Sequence, residues 1–417
     1  MAIDTSPRTG GPCRVCGHEL RRTVVDLGMH PPCQRFLEPV QLDDMEPFYP
    51  LVAWVCESCW LVQIGEHVPP EEIFVEYAYF SSYADSWVAH VHKYADDMTE
   101  RWGLGPESLV VEVASNDGYC LQWFVQKNIP VLGIEPAKNV ALVAEEKGVR
   151  TLTEFFDREL ARSLRNDGVR PNLLFGKNVL AQVPDLNSFV EGMASLLADD
   201  GVITVEFPHL QRLIEGNQFD TIYHEHYWYF SLHATERLFA RHGLTIFDVD
   251  ELPTHGGSLR IYARHDTDDA KPVTERVHEL RAREQRLGYA DPSAYARFDE
   301  QVKAAKRSLL QFLVRAKEDG KRVVGYGAAG KGMTLLNYCG IRTDFLDFVV
   351  DRNPYKHGRY CPGVHVPVLA VEALWDARPD YVLILPWNLR EEISGQLAGI
   401  REWGGQFVVP IPTTQVF

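Results

Sequence analysis

Two short cysteine motifs constrain the first part of this chain more than any other feature. Cys13-x-x-Cys16 and Cys56-x-x-Cys59 each place two thiolates in one small loop, and two such loops complete a tetrahedral four-cysteine zinc site. The 39 residues between Cys16 and Cys56 predict that the two pairs meet through the fold. Because four thiolates leave no open coordination position, the predicted zinc is structural. A redox C-x-x-C is the alternative, although redox chemistry needs only one pair.

The composition is that of an ordinary globular protein with an acidic balance. A chain of 417 residues is expected to form two or three domains. Its 42 basic and 58 acidic residues give a formal net charge of -16, which argues against nucleic acid or an anionic membrane as a partner. The first residues lack the apolar segment of a signal peptide, and no run of about 18 apolar residues occurs. We therefore expect a soluble, cytoplasmic protein that is a monomer or a small homo-oligomer.

Two separate series of strands and helices follow the cysteine-rich segment. Apolar runs such as SLVVEV, IPVLGIE, PNLLFG and GVITVEF alternate with amphipathic segments, and KRVVGYG, FLDFVVD, DYVLILP and QFVVPIP begin a second series. This alternation predicts an α/β fold, with one Rossmann-like domain flanked by a small N-terminal zinc-binding domain and a C-terminal Rossmann-like domain. The predicted bounds are 1–72 for the zinc-binding domain, 73–268 for the middle domain with a helical connector at 73–105, 269–319 for a helical linker and 320–417 for the last domain.

The turn after the first strand of the middle domain suits a nucleoside cofactor. The strand LVVEV runs into Ala114-Ser-Asn116-Asp117-Gly118, and the next strand, VLGI, ends at Glu135, an acidic residue suited to two ribose hydroxyls. The glycine pattern of NAD sites is degraded here. An S-adenosylmethionine site tolerates that change because an amino-acid tail replaces the diphosphate. We therefore predict S-adenosylmethionine at this turn, with a vestigial nucleotide fold as the alternative.

A series of motifs along the chain resembles one family. EVASNDG (112–118), GIEP (133–136), TEFF (153–156), NVLAQVPD (178–185) and FDTIYHEHY (219–227) lie between the cysteine-rich segment and GYGAAGK. Together they closely resemble the zinc-containing, S-adenosylmethionine-dependent sugar C-methyltransferases of deoxysugar and antibiotic biosynthesis, over nearly the whole chain. The resemblance implies methylation of a nucleotide-linked 4-keto-deoxysugar at C3, with C5 as the alternative target.

The resemblance also implies which residues hold the methyl donor. Residues 116–118 would wrap the methionine part, Glu135 would hold the ribose, and the two phenylalanines of TEFF would flank the adenine. The complete predicted set is Tyr79, Glu112, Ala114, Asn116, Asp117, Gly118, Glu135, Pro136, Phe155, Phe156 and Asn178. One departure from the family pattern is Gln182, where family members often carry His, so a second candidate acid or base is missing. This departure slightly favours a third hypothesis, a zinc-dependent scaffold that has lost catalysis.

The chemistry requires a base beside the acceptor carbon. The hydrogen on a carbon next to a ketone is acidic, and a neutral imidazole can remove it near pH 7. The resemblance places this base at His226, with Glu225 orienting it or stabilising its charge and Tyr223 donating to the developing oxyanion. Two alternatives stay open for this segment: a core or edge strand with satisfied histidines, and a metal site using His224 and His226.

The last domain contains a better match to an NAD site than the middle one. Gly325-Tyr-Gly327-Ala-Ala-Gly330 follows a strand and opens a helix, and Asp351 lies 21 residues further on at the end of a second strand. An NAD-dependent nucleotide-sugar dehydrogenase is therefore an alternative function. We favour a turn that holds the diphosphate of the sugar nucleotide, with Lys331 adding charge. A purely structural Rossmann-like domain is the third interpretation.

The predicted acceptor site combines two short segments with this last domain. Ser81 and Ser82 form one segment, and His255 to Arg260, where paired glycines let the backbone approach a ligand, form the other. The complete predicted set is Ser81, Ser82, His255, Gly256, Gly257, Arg260, Gly327, Ala328, Ala329, Gly330, Lys331, Asp351, Asn353, Lys356, Trp387 and Asn388.

Overall fold

The computed structural model describes residues 9–69, 81–83 and 85–417, with only the backbone described at residues 83 and 85. Tyr79, which the sequence places in the donor site, lies outside the described residues, as does part of the predicted connector. In the described part of the chain no helix is both long enough and apolar enough to cross a bilayer.

Within these ranges the strands and helices alternate along most of the chain. The strands are β1 (Arg22–His30), β2 (Tyr49–Val55), β3 (Val62–Ile64), β4 (Val110–Val113), β5 (Val131–Ile134), β6 (Thr151–Leu152), β7 (Leu173–Lys177), β8 (Val202–Pro208), β9 (Trp228–Tyr229), β10 (Leu244–Leu252), β11 (Ser258–His265), β12 (Val323–Tyr326), β13 (Val349–Val350), β14 (Val368–Leu369), β15 (Tyr381–Ile384), β16 (Gln406–Val409) and β17 (Gln415–Val416). The α-helices are α1 (Asp85–Trp102), α2 (Leu121–Val125), α3 (Lys138–Glu146), α4 (Arg158–Asn166), α5 (Leu186–Leu196), α6 (Leu210–Glu215), α7 (Leu232–Ala240), α8 (Glu275–Leu287), α9 (Phe298–Glu318), α10 (Gly330–Cys339), α11 (Ala373–Ala377) and α12 (Arg390–Gln396).

A small antiparallel sheet follows the first cysteine pair. Its order is β1-β2-β3-β9, so a strand from far along the chain completes a sheet that otherwise belongs to the N-terminal segment. The added strand pairs Tyr229 with Val62 and Trp228 with Gln63. Because β9 directly follows the Tyr223–Tyr227 segment, this pairing ties the predicted base to the cysteine domain.

The middle domain is a seven-stranded sheet of the predicted doubly wound kind. Its order is β10-β11-β8-β7-β4-β5-β6, with β4 to β8 parallel and β11 antiparallel to both of its neighbours. Strands β4 and β7 are buried along their whole length, as their continuous apolar runs predict. The strand order reverses beside β4, so the loops after β4 and β7 form the switch point where such sheets bind ligands.

The last sheet repeats this arrangement. Its order is β14-β13-β12-β15-β16-β17, parallel except for β17. The loops after β12 and β15 lie at its switch point, and α10 begins directly after the first of them. The predicted α/β fold, with a Rossmann-like methyltransferase sheet between a cysteine domain and a C-terminal α/β sheet, is confirmed.

Helices α8 and α9 lie between the middle and last sheets in the sequence. The buried carboxylate of Glu284 in α8 accepts hydrogen bonds from the backbone N–H groups of Leu232 and His233 at the start of α7. It also binds the His209 ring at 2.8 Å. A buried acceptor at a helix start compensates N–H groups that have no partner within the helix, so this contact fixes α8 to the middle domain.

Candidate active site

The four cysteines of the two C-x-x-C motifs converge on one point. Their sulfur atoms all lie within 4.8 Å of one another, with 3.7 Å between the sulfurs of Cys13 and Cys59 and 3.5 Å between those of Cys16 and Cys56. Four sulfurs at about 2.3 Å from a tetrahedral zinc ion are about 3.8 Å apart, so the spacing fits zinc closely. The predicted four-cysteine zinc site is therefore confirmed as a geometric cluster.

The two cysteine loops have the same backbone design. In each, the residue after the second cysteine returns a backbone N–H to the carbonyl of the first: Gly17 to Cys13 and Trp60 to Cys56, both at 2.8 Å. Both of these residues have positive φ. The side-chain amide of Gln63 donates to Cys13 Sγ at 3.1 Å, the kind of outer contact that orients a ligand and stabilises thiolate charge.

A cavity of about 410 Å³ opens at the switch point of the middle sheet. The loop after β4 forms one wall, where Ala114 and Asn116 adopt positive φ, and the loop after β7 forms another through Asn178, also at positive φ. Asn178 Oδ1 is buried and has no hydrogen-bond partner in the described part of the chain. A buried acceptor aimed at a cavity favours a ligand with donor groups there.

Glu135 stands at the end of β5 on the opposite side of this cavity. Its two carboxylate oxygens accept the backbone N–H groups of Asn116 and Ala137, each at 2.9 Å. Burial raises the pKa of this carboxyl to about 7, while those two bonds lower it. A carboxylate has about four acceptor positions, so each oxygen can still accept one hydroxyl. This geometry suits the two hydroxyls of a ribose, as the sequence predicts.

One part of the cavity wall is aromatic. Phe155 is 42% exposed, whereas Phe156 is buried and packs edge-to-face on Phe189 with 5.4 Å between ring centres. The structure brings eight predicted residues to the wall: Ser81, Ala114, Asn116, Glu135, Pro136, Phe155, Phe156 and Asn178. Gln182, the departure from the family pattern, lines the same cavity.

Several further cavity residues were not predicted from the sequence. Trp87, Tyr119 and Lys177 line the wall together with the predicted set. Lys177 ends β7, and its ammonium lies 3.4 Å from the centre of the Tyr94 ring and 3.3 Å from Glu206. In the sequence, the only indication that Lys177 lines a site is its position at the end of a buried apolar strand.

Four predicted ligand residues lie outside the lining of this cavity. Glu112 is fully buried in β4, and burial raises its pKa well above the usual range. Arg260 is 5% exposed and forms ion pairs with Glu206 and Asp250. Asp117 and Ser82 both contact the Lys147 ammonium, at 3.3 and 2.9 Å. These side chains support the site from behind the cavity wall.

Two turns complete the predicted loops without placing a side chain in the cavity. Gly118 donates its N–H to the Ser115 carbonyl at 3.1 Å, which closes the turn after β4. The carbonyl of Gly257 accepts the His209 N–H at 3.0 Å. Both glycines therefore support the loops that carry their neighbours.

The predicted base, His226, is buried and is not among the residues that line this cavity. Its Nε2 lies 3.1 Å from the Tyr223 hydroxyl, and the two rings are 4.3 Å apart. Burial, followed by the charges of His255 and Lys331, lowers the pKa of His226 to about 3, against a hydrogen bond to the Thr221 carbonyl. The imidazole is therefore neutral at physiological pH, as a base must be before it takes a proton.

Glu225 does not face His226. Its carboxylate accepts a hydrogen bond from the Cys33 thiol at 3.2 Å, and burial raises its pKa to about 7. His224 lies against the Pro50 carbonyl at 3.3 Å. In the described part of the chain, the cysteine cluster is the only group of three or more ligands that converges, so no histidine metal site forms at this segment.

The Thr254–Gly256 turn connects the donor cavity to the base. His255 adopts positive φ, and its Nε2 lies 3.0 Å from Asn178 Nδ2. Burial, then the charge of Lys331, lowers the pKa of His255 to about 4. Gly256 is required here because it has φ of +92° and a Cβ would lie 2.7 Å from Trp387 of the last domain. The two sheet edges therefore meet at this turn.

The glycine-rich turn of the last domain is filled by the protein itself. A Cβ at Gly327 would lie 2.6 Å from Pro386, and one at Gly330 would lie 3.0 Å from Cys33 Sγ and 3.8 Å from Tyr223. The N–H groups of residues 327, 328 and 329 bind the Val350 carbonyl, the Asp351 carboxylate and the Gly327 carbonyl. These three N–H groups are therefore engaged within the protein, whereas those in the first turn of α10 have no side-chain cap.

The residues predicted to lie near the nucleoside also form hydrogen bonds within the protein. Asp351 accepts the N–H groups of Ala328 at 2.7 Å and Asn353 at 2.8 Å. Asn353 accepts the N–H of Tyr355, and the Lys356 ammonium donates to the Ala328 carbonyl at 2.7 Å. This network supports the turn from outside.

Lys331, Trp387 and Asn388 lie together where the last domain contacts the middle domain, a region that we call the cleft. The Lys331 ammonium donates to Asn388 Oδ1 at 2.7 Å and lies 4.8 Å from the centre of the Trp387 ring. The indole N–H of Trp387 donates to Asp220 at 2.8 Å. Burial raises the pKa of Asp220 to about 6 and lowers that of Lys331. Sequence analysis missed Asp220, which lies only three residues before Tyr223.

The family models that match this chain agree with this architecture. Three family models match successive parts of the chain: a zinc binding domain at residues 13–74, a methyltransferase domain at 87–249 and the C-terminal domain of C-methyltransferases at 253–412. Among solved structures, a magnesium protoporphyrin IX methyltransferase from Synechocystis PCC 6803 is 15% identical and covers 43% of this chain and 81% of its own, with a TM-score of 0.32. A SAM-dependent methyltransferase from Anabaena variabilis is 14% identical and covers 47% and 89%, with a TM-score of 0.35.

Fold, cavity and cysteine cluster together define an S-adenosylmethionine-dependent methyltransferase that carries a zinc-binding domain. The C-methyltransferase NovU of Streptomyces niveus is 38% identical to this chain over 407 residues, which are 97% of this chain and 96% of the relative. The chain belongs to this family of C-methyltransferases.

Proposed function

We propose that this enzyme methylates the carbon next to the ketone of a nucleotide-linked 4-keto-deoxysugar, at C3, with His226 as the base. The single observation that carries the proposal is the position of a buried, neutral imidazole between the donor cavity and the last domain. His226 is 8% exposed, and the His255 turn links its surroundings to Asn178 in the cavity wall. A methyl acceptor must lie between the donor and the base, so we place it between Asn178 and His226.

The residues of the donor cavity bind and orient the cofactor. When it is bound, S-adenosylmethionine supplies an activated methyl group, so the protein need only make the acceptor carbon nucleophilic and align it. Glu135 is suited to hold the ribose, while Phe155 and Phe156 border the apolar side of the cavity. The unpaired Asn178 Oδ1 is suited to a donor group of the ligand.

The base acts on the hydrogen that the ketone acidifies. His226 Nε2 takes the proton, the C–H electron pair forms the enolate, and the negative charge passes to the ketone oxygen. In the free protein the Tyr223 hydroxyl lies 3.1 Å from this nitrogen, so the hydroxyl moves aside when the substrate binds. General-base help of this kind is worth roughly 10²–10⁴ in rate.

The nucleotide part is proposed to extend along the edge of the last sheet. Trp387 and Asn388 follow β15 and border the cleft, and Trp387 presents a ring face there. C5 methylation uses the same enolisation on the other side of the ketone and is the alternative target.

The deciding experiment is mass spectrometry of nucleotide 4-keto-deoxysugars after incubation with enzyme and S-adenosylmethionine. We expect one of them to gain a single methyl group on carbon, and fragmentation assigns it to C3 or C5. Matched nucleotide sugars without the ketone are the control and should remain unchanged. Equal methylation of the reduced and keto sugars would contradict enolisation.

A further inference from the structure

Lys331 occupies an unusual position for a cation. It lies in the first turn of α10, directly after Gly330, which approaches Tyr223. Its charge reaches both His226 and His255 and lowers the pKa of each. A positive charge beside a base weakens that base, because it opposes the imidazolium that forms. Such an arrangement favours the reaction only if a negative charge develops in the same place.

The ammonium has hydrogen-bonding capacity to spare. It carries three N–H donors, and the described acceptor is the single neutral oxygen of Asn388. Its nearest opposite charge, Asp220, is held by the Trp387 indole N–H, and the ring face of the same Trp387 lies under the ammonium. No ion pair within 4.0 Å joins Lys331 to a carboxylate of the described residues. The site therefore contains a cation that can still bind an anion.

Two anions could take this position, the diphosphate and the enolate. The turn around Lys331 has spent the N–H groups of residues 327–329 on the protein itself, and the Lys356 ammonium is bound to the Ala328 carbonyl. The N–H groups at the start of α10 can also support a diphosphate. Position favours the enolate, because Gly330, directly before Lys331, approaches Tyr223, and the Tyr223 hydroxyl lies 3.1 Å from His226 Nε2. An enolate carries one charge, on the oxygen of the carbon next to the one that His226 deprotonates.

We propose that the Lys331 ammonium is a catalytic group that binds the ketone oxygen of the acceptor and neutralises the enolate formed by His226. The proposal rests on the function proposed above. As the proton passes to His226 Nε2, the C–H pair becomes the carbon–carbon double bond and the carbonyl π pair moves to the oxygen beside Lys331. When the carbon bonds to the methyl group, the pair returns and the ketone is restored. Preorganised charge at such an oxygen is commonly worth 10²–10³ in rate.

The test compares Lys331→Met with Lys331→Arg, and with Lys321→Met as a matched control. Lys321 pairs with Asp380 at 2.9 Å before β12, away from the cleft. Three quantities are measured: kcat, exchange of the acidic hydrogen with solvent deuterium in the presence of S-adenosylhomocysteine, and affinity for the nucleoside diphosphate alone. Lys331→Met should lose on the order of 10² in kcat and in exchange, with diphosphate affinity within about twofold. Lys331→Arg should recover part of the loss, and Lys321→Met should match wild type.

The pH profile gives an independent readout. His226 faces Tyr223, His255 and Lys331, and Lys331 also faces Asp220. Removing the cation raises the pKa of His226, so the acid limb of kcat/KM should move to higher pH in Lys331→Met. A structural role alone would leave this limb in place. Should Lys331→Met fail to fold, Asn388→Leu, which frees the ammonium, should show a smaller loss in kcat and exchange.

The opposing result is equally specific. A tenfold or greater loss of diphosphate affinity in Lys331→Met, with unchanged exchange in saturated enzyme and an unmoved acid limb, would make Lys331 a diphosphate-binding residue and overturn the proposal. If wild-type enzyme neither exchanges the hydrogen nor methylates any 4-keto sugar, the proposed function itself fails, and the two failures are distinct.

Discussion

The thiol of Cys33 donates a hydrogen bond to the carboxylate of Glu225 across 3.2 Å, although 192 positions separate the two residues. Both groups are buried, and burial raises the pKa of each. The pair joins the loop after β1 to the turn that carries His226. Glu225 therefore holds the base-bearing turn in place from behind, and it does so through the cysteine domain.

Replacing Glu225 by Gln should change how stability depends on pH. The pKa of Glu225 in the folded chain is about 7, above the usual 4.5, so folding favours the protonated form. Its favourable contribution is complete below pH 4.5 and is lost as the pH rises to about 7. The free energy of unfolding, measured with urea, should decrease less between pH 5 and pH 7.5 for Glu225→Gln than for wild type. An unchanged difference would mean that Glu225 does not titrate in this window. Turnover should fall less than in His226→Asn.

His226→Asn should lower turnover by roughly 10²-fold or more while both ligands still bind, because the proton acceptor is lost and the donor is held by other residues. Hydrogen–deuterium exchange of the sugar in the presence of S-adenosylhomocysteine should fall in parallel. His224→Asn is the matched control, since His224 contacts the Pro50 carbonyl outside the proposed site. Near-normal methylation by His226→Asn would refute the assignment.

Purified protein should contain about one zinc ion per chain, and Cys13→Ala should lose it. Zinc binding in small domains is worth roughly 10–16 kcal/mol, so the variant should also lose much of its thermal stability. Cys120→Ala removes another buried cysteine, distant from the cluster in sequence, and should retain the metal. Metal analysis of freshly purified protein decides the matter; protein without zinc would contradict the site.

S-adenosylhomocysteine should raise the melting temperature because it binds the folded methyltransferase domain, whereas NADH, for which we propose no site, should not. Glu135→Gln should weaken the binding of S-adenosylhomocysteine about tenfold, since the substitution removes a charged hydrogen-bond acceptor. Glu154→Ala, an exposed neighbour, is the control. A clear shift with NADH and none with S-adenosylhomocysteine would favour the dehydrogenase alternative.

Gly327→Ala should destabilise the protein far more than Gly358→Ala. Both glycines have positive φ, so both substitutions strain the backbone. Only at Gly327 would the added Cβ meet another group, 2.6 Å from Pro386, while the space at Gly358 is open. Chemical denaturation of the two variants checks this comparison. Equal losses would show that Pro386 can move aside.

The sequence predicted the features that depend on local pattern. Paired cysteines, buried apolar strands and an acidic residue after the second strand define local chemistry, so the zinc cluster and Glu135 were found at once. Contacts between distant segments have no such pattern. The Cys33–Glu225 bond, the approach of Gly256 to Trp387 and the position of Asp220 arise only when three sheets pack together. Spacing also does not show that Pro386 and Asp351 contact the glycine motif of the last domain, and the role of this motif in nucleotide binding stays a prediction.

Strand β9 has a consequence for how this enzyme can be altered. Trp228 and Tyr229 complete the sheet of the cysteine domain, and the residues just before them carry the base. Exchange of an entire N-terminal domain with that of a relative would thus replace the surface on which the base is mounted. A functional hybrid must transfer residues 223–229 together with their partner strand. In this enzyme the segments to exchange are therefore defined by the shared sheet and not by a boundary in the sequence.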